Sequence, residues 1–286
     1  MTEPVTDWIE IWNRLVKQRE QARRPESLRD AKDRWSARAG EYDTVTQRRW
    51  AHKDTSREFL VSLLKSLPEP TLLDIGAGGG KWTVPLAPFA RQVTAVEPSS
   101  AMRAHLQEHL AKQGTTNVTI VPEAWPCADM PAHDVTLCSH SMYGFSDFEL
   151  FIQGIQTVTR HTCVLLMRAP PLDGIMADAA RHIFGHPYDS VNFQIAFNAL
   201  LQMGIFPNVL MEDPRTWNPW THDSISEALT EVKRRFRLYD DTTHDAFLME
   251  LLSRRLIRSE GKYVWPCGTY SALVHWRVNP RKETHE

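Results

Sequence analysis

The stretch LLDIGAGGGKW, Leu72 to Trp82, constrains this chain more than any other. Leu72, Leu73 and Ile75, with Asp74 among them, run directly into Gly76, Gly78, Gly79 and Gly80. A strand that ends in a turn almost bare of side chains lets the main chain approach a ligand closely, with its N–H groups pointing at that ligand. The turn therefore predicts a binding site, and the surrounding pattern has to say which fold carries it and which ligand it takes.

Short apolar runs alternate with helical segments from this point on: TLLDI (Thr71 to Ile75), QVTAVE (Gln92 to Glu97), NVTIV (Asn117 to Val121), DVTLCS (Asp134 to Ser139) and CVLLMR (Cys163 to Arg168). Strands buried on both faces read this way, and helices between them imply right-handed crossovers and a parallel sheet. One crossover helix is well punctuated, with Ser99 or Ser100 as its cap, a body from Ala101 to Lys112 and Gly114 as its stop. Another starts near Trp82, where Pro85 fits a first turn and Pro88 predicts an early kink or end.

Before the glycine turn, Trp8, Ile11, Trp12 and Leu15 fall on one helical face, and DRWSARAGEYD (Asp33 to Asp43) and REFLVSLLKSL (Arg57 to Leu67) continue as helix until Pro68 and Pro70. After Pro170, helices are expected over DGIMADAARHIF and NFQIAFNALLQMG, a strand over Asn208 to Asp213, and a helical insertion at about 222–260 opened by the capping box Ser224 and Glu227. A final strand spans Thr269 to Val278. With 286 residues, 42% of them hydrophobic, the chain can bury the core of one large domain with an insertion. The expected fold is α/β: a Rossmann-like, mostly parallel sheet flanked by helices with an antiparallel last strand. Residues 1–67 are expected as an N-terminal helical cap, and 68–286 as the binding domain with its insertion.

A dinucleotide fingerprint would need a third glycine where Lys81 stands, and no phosphate-loop G-K-[ST] follows. What remains is Asp-x-Gly-x-Gly-x-Gly with an acid, Glu97, 23 positions after Asp74 at the end of the next strand. Such an acid can accept both hydroxyls of a ribose, each charge-assisted bond being worth roughly 1.5 to 3 kcal/mol.

On these residues the chain resembles the class I S-adenosylmethionine-dependent methyltransferases. LLDIGAGGG is similar to their first motif, VTAVEPSSAM to the second, VPEAWP to the segment after strand three and HDVTLCSHSMYGF to the fourth-strand motif, so the resemblance spans Thr71 to about Pro170. It implies S-adenosyl-L-methionine as cofactor. Gly76, Ala77, Gly78 and Gly80 would form the turn under the methionine and ribose, and Asp74 would order the ammonium end. Glu97 would hold the ribose hydroxyls, with Pro98 and Ser99 flanking the adenine. Glu123, where the family often has an aspartate, would reach the adenine amino group, with the Ala124 N–H facing the ring and Trp125 packing nearby. Ser139 and His140 would face the transferable methyl, with Tyr143 beside them.

Each residue has a plainer alternative. Glu123 could be a surface carboxylate, Trp125 a core tryptophan, and His140 a satisfied histidine at a strand end; Tyr143 leans further toward structure. Arg168, ending strand five, could meet a substrate carboxylate or phosphate, or form a structural ion pair, which is the favoured reading. His182 and His186 share a helical spacing without further ligands, so no metal site is expected. A sulfonium methyl needs chiefly an in-line nucleophile at roughly 3 to 3.5 Å. For a hydroxyl or protonated amine, His140 is the available base.

A net charge of -2 and the absence of the N-P-P-Y signature of amino-nucleobase methylation, where SHSMY stands, favour a small-molecule acceptor over nucleic acid. A protein or RNA acceptor and a non-catalytic cofactor-binding subunit are the alternatives, and a homo-oligomer is left open. The four cysteines lie far apart and read as reduced thiols; with no leader or membrane-length apolar run, the cytoplasm is the expected location.

Overall fold

The computed structural model describes residues 6–21, 50, 54–212, 220–266 and 268–278. The helix expected over 33–43 lies outside the described residues. Helices α1 (Trp8–Gln21) and α2 (Thr55–Lys65) precede the sheet. Then β1 (Thr71–Ile75), α3 (Thr83–Leu86), β2 (Gln92–Val96), α4 (Ser100–Gln113), β3 (Val118–Val121), β4 (His133–Ser139), α5 (Phe148–Thr157) and β5 (Thr159–Ala169) alternate along the chain. They are followed by α6 (Ile175–Phe184), α7 (Phe193–Gln202) and β6 (Asn208–Glu212). Strand β7 (Thr221–His222), helices α8 (Ile225–Phe236) and α9 (Asp245–Arg255), and strands β8 (Ile257–Ser259) and β9 (Lys262–Val264) form the insertion, and β10 (Tyr270–Arg277) closes the described chain.

Seven strands make one sheet in the order β3-β2-β1-β4-β5-β10-β6. The pairs among β1 to β5 are parallel, and β10 runs antiparallel to both β5 and β6. The expected α/β fold with an antiparallel last strand is the one found. Strand order reverses between β1 and β4, which opens a crevice at the carboxyl edge where the glycine turn leaves β1.

Period-two alternation feeds the two faces. Leu73, Ile75, Cys163, Leu165 and Met167 enter one core with Trp12 and Leu15 of α1, Phe148 and Ile152 of α5, and Ile195 and Ala199 of α7. Leu72, Val135, Leu137, Val164 and Leu166 enter the other with Leu60 and Leu64 of α2 and Leu86 of α3. The two described helices of the first 67 residues thus pack on opposite faces of the sheet. Pro88 acts as its ring requires: α3 stops at Leu86 and a single 3-10 turn, Ala87–Phe89, follows. Ser99 caps α4 and Gly114 ends it in the left-handed conformation, as the sequence predicts.

The insertion is not wholly helical. Ile257, expected at the end of a helix, sits in β8, and β7, β9 and β8 form a small antiparallel sheet. The reason is a two-residue turn: Glu260 and Gly261 both take positive φ, 48° and 77°, between the paired residues Ser259 and Lys262. Ala228, Val232, Leu248, Leu252 and Trp265 build a separate core here, shared with Ile175 and Ala179 of α6. No helix among the described residues is long and apolar enough to cross a membrane.

Candidate functional site

The glycine turn is a run of left-handed backbone. Gly76, Gly78 and Gly80 have φ of 72°, 57° and 90°. At Gly76 a Cβ would lie 2.3 Å from Ser141 Cβ, so both the dihedral and the close approach of the loop after β4 demand glycine. Ser141 in turn donates to the Ile75 carbonyl at 2.7 Å, fastening that loop to the end of β1. The Gly76 and Ala77 amides both donate to the Val96 carbonyl, at 2.8 and 3.1 Å, which binds the turn to the end of β2.

Glu97 is the pivot of this arrangement. It is 7% exposed; its Oε2 accepts from the Gly78 amide at 2.9 Å and its Oε1 from the Ser99 amide at 2.8 Å. The acid therefore bridges the glycine turn and the cap of α4. Arg103 stays with the backbone, donating to the Glu97 and Pro98 carbonyls at 2.9 and 2.7 Å. Burial pushes the Glu97 carboxyl above its ordinary range, and the two amides partly offset that shift. A carboxylate oxygen has room for a second bond beside one amide, so a group held this way is preset to accept a pair of adjacent hydroxyls.

Asp74 is 1% exposed and accepts from the Thr83 hydroxyl at 2.6 Å, tying the end of β1 to the first turn of α3. Burial foremost, with the charge of Glu97 adding to it, raises its pKa to about 6 despite the Thr83 bonds. From behind, the Gly79 carbonyl lies 2.7 Å from His109 Nδ1, and Trp50 Nε1 donates to the Lys81 carbonyl at 2.8 Å.

Across the crevice, Trp82 Nε1 donates to Ser139 Oγ at 2.7 Å, so the far end of the glycine turn touches the end of β4. His140 follows in the left-handed region, φ 55°, unusual for a residue with a Cβ, and its amide donates to the Leu166 carbonyl at 2.9 Å. Its Nδ1 lies 3.0 Å from the Tyr143 hydroxyl, and that oxygen accepts from the Arg168 amide at 2.8 Å. Either Nδ1 or the Tyr143 O–H can be the donor in this pair, since the phenolic oxygen has room for a second bond beside the Arg168 amide. Burial holds the Tyr143 hydroxyl up to about 12, so it does not ionise at neutral pH.

The residues expected after β3 are less closely joined to this group. Glu123 and Ala124 are exposed at the same edge, whereas Trp125 is buried in the first core against Gly154 of α5. His182 stacks flat on Phe247, centroids 3.7 Å apart, as a packing residue does. Thr83, Ser141 and His109 do not stand out in the sequence. Thr83 has a signal, a hydroxyl at a helix start beside a strand-end acid; Ser141 and His109 carry no local one.

Residues 72–162 match the family described as a methyltransferase domain. No curated protein matches the chain. Among solved structures, the YcgJ protein from Bacillus subtilis is similar at 15% identity and a TM-score of 0.52, covering 79% of this chain and 99% of its own. A Bacillus halodurans protein named as a candidate methyltransferase is similar at 14% identity and a TM-score of 0.51, covering 79% of this chain and all of its own, 100%. These likenesses are of fold.

Proposed function

We propose that this protein, whose residues 72–162 match a methyltransferase domain, transfers a methyl group from S-adenosylmethionine to a small-molecule acceptor, chiefly by positioning it. The observation that supports the cofactor's placement is the buried Glu97 carboxylate clamped between the Gly78 and Ser99 amides, a two-point acceptor suited to a ribose diol. Gly76, Ala77, Gly78 and Gly80 would line the methionine and ribose side, Asp74 the ammonium end, Pro98 and Ser99 the adenine, and Glu123 and Ala124 its polar edge. Trp125, packed in the core, would support that wall from behind.

S-adenosylmethionine, when bound, supplies a methyl already activated on a positive sulfur. The chain's own residues then have to aim the acceptor and keep water out. Ser139, held by Trp82, and His140, held by Tyr143, form the rigid end of β4 on which the acceptor would rest. His140, fixed through Nδ1 by Tyr143, is assigned an orienting role, with proton removal as the alternative. The cap over the site is assigned to the N-terminal segment and to the insertion, here 221–264.

The test supplies purified protein with labelled S-adenosylmethionine and a lysate split into small-molecule, protein and RNA fractions. Label is expected in the small-molecule fraction. Label in protein or RNA would overturn the acceptor class, and cofactor binding without transfer to any fraction would favour a non-catalytic subunit. His140→Gln, which keeps a donor, should retain more turnover than His140→Ala; equal loss in both would restore the base reading.

A further inference from the structure

Helix α4 presses its buried face against the glycine turn. A Cβ at Gly80 would lie 2.6 Å from Leu106 Cδ1, and one at Gly79 would lie 3.5 Å from His105 Cβ. One helical turn beyond His105, His109 is 6% exposed and shares that buried face with Leu106 and Leu110, which pack on Ala77, Val84 and Ala95. Its Nδ1 lies 2.7 Å from the Gly79 carbonyl oxygen. Trp50 meets the imidazole edge to face, ring centroids 5.5 Å apart at 72°, and donates its own Nε1–H to the Lys81 carbonyl at 2.8 Å.

A leucine at 109 would extend the apolar face of α4, whereas a buried imidazole loses its water and is tolerated only with a polar partner. The partner found is a carbonyl, which can only accept. His109 therefore carries a proton on Nδ1 and donates it to Gly79. That bond falls where the main chain has least preference of its own: Gly78 and Gly80 are left-handed on either side of Gly79, and glycine loses more freedom than any other residue when it is fixed. The peptide between Gly79 and Gly80 is held at both ends, its carbonyl by His109 and its amide by the Ala77 carbonyl at 3.0 Å. Glu97 holds the Gly78 amide, so acid and imidazole grip neighbouring residues of one turn. A shift at Gly79 would move the donor that orients Glu97.

We propose that His109 is a positioning residue for S-adenosylmethionine: by holding the Gly79 carbonyl it keeps the glycine turn, and through it Glu97, in the shape that receives the ribose and methionine before the cofactor arrives. The cost of ordering the turn is then met in folding and does not weaken binding. The role rests on the methyltransferase reading above.

Two variants of the full chain test it. His109→Asn sets an amide N–H in the place of Nδ1, since both nitrogens are bonded to Cγ, and His109→Leu fills the space without a donor. S-adenosylhomocysteine affinity, measured by calorimetry, is expected to fall about fivefold in His109→Leu and to stay within about twofold of the parent in His109→Asn. Urea unfolding separates this from packing, because the smaller asparagine is expected to be the less stable variant while binding the better. Equal affinities in the two variants, or an affinity order that follows their stabilities, overturns the proposal. Nitrogen chemical shifts of the parent need no substitution: a proton on His109 Nδ1 is expected, and a neutral ring bare at Nδ1 rules out the bond itself. A parent that binds no S-adenosylhomocysteine removes the cofactor reading and the role of His109 together; parental binding that survives intact in His109→Leu removes His109 alone.

Discussion

The two sides of the crevice are built from different material. On the β1–β2 side, the proposed recognition rests on main chain: left-handed glycines, the Gly78 and Ser99 amides, and the one acid they clamp. On the β4–β5 side it rests on side chains passed from one to the next, Arg168 to Tyr143 to His140, and Trp82 to Ser139. A backbone site can serve one invariant ligand with little freedom to change, because its geometry is the fold's own. A side-chain site can be rewritten without disturbing the sheet, which suits the half proposed to choose an acceptor.

Breaking the backbone side should cost the fold itself. Gly76→Ala meets Ser141 Cβ and a left-handed φ, so urea unfolding should show a loss of about 2 to 5 kcal/mol. Adding Ser141→Gly should restore the steric share and leave the dihedral penalty of about 1 to 2 kcal/mol.

Asp74 gives the next largest effect, through pH. Its folded pKa, about 6 against an ordinary 3.8, means the folded state holds the extra proton between those values. This contribution to stability is therefore present in acid and falls as pH rises through about 6, by about 3 kcal/mol in all. Asp74→Asn should lack that fall, so its stability relative to the parent should improve from pH 4 to pH 7.5 in denaturant titrations; a parallel pair of curves would refute the buried charge.

Glu97→Gln keeps the shape but loses the charge and one amide bond. S-adenosylhomocysteine affinity, measured by calorimetry, should weaken about tenfold or more. The side-chain half should respond least. Tyr143→Phe removes the hydrogen-bond partner of Nδ1, so the nitrogen chemical shifts of His140 should move toward a mixture of tautomers, a change of about 1 kcal/mol, with cofactor affinity unmoved.

The same division governs what is legible in the sequence. Gly76, Gly78, Gly80, Asp74 and Glu97 are legible because backbone conformation and strand ends leave marks at fixed spacing. The α/β alternation is legible for the same reason, down to the cap at Ser99 and the break at Pro88. Ser141 is not, because its contact with Gly76 exists only once β1 and β4 are neighbours. The Tyr143 relay depends on Arg168 lying across a strand pair, and the β8–β9 hairpin is hidden by a helical-looking run although Glu260 and Gly261 mark its turn. Asp189 gives no hint at all: an ordinary acid in an ordinary loop acquires meaning from the arginines of β5 and α8 that pair with it.

The position of β10 has a bearing on how the molecule is made. Among the described residues, strand β6 has β10 as its only neighbour in the seven-stranded sheet, and β5 meets its outer partner in β10. A growing polypeptide can assemble the binding crevice early, since β1 to β5 are all synthesised by Ala169. It cannot zip the far side of the sheet until residues 270–277 have left the ribosome. Until then β5 exposes a ready pairing edge and β6 waits without a companion. Chaperone dependence and aggregation during expression should accordingly concentrate in nascent chains stalled between these two points.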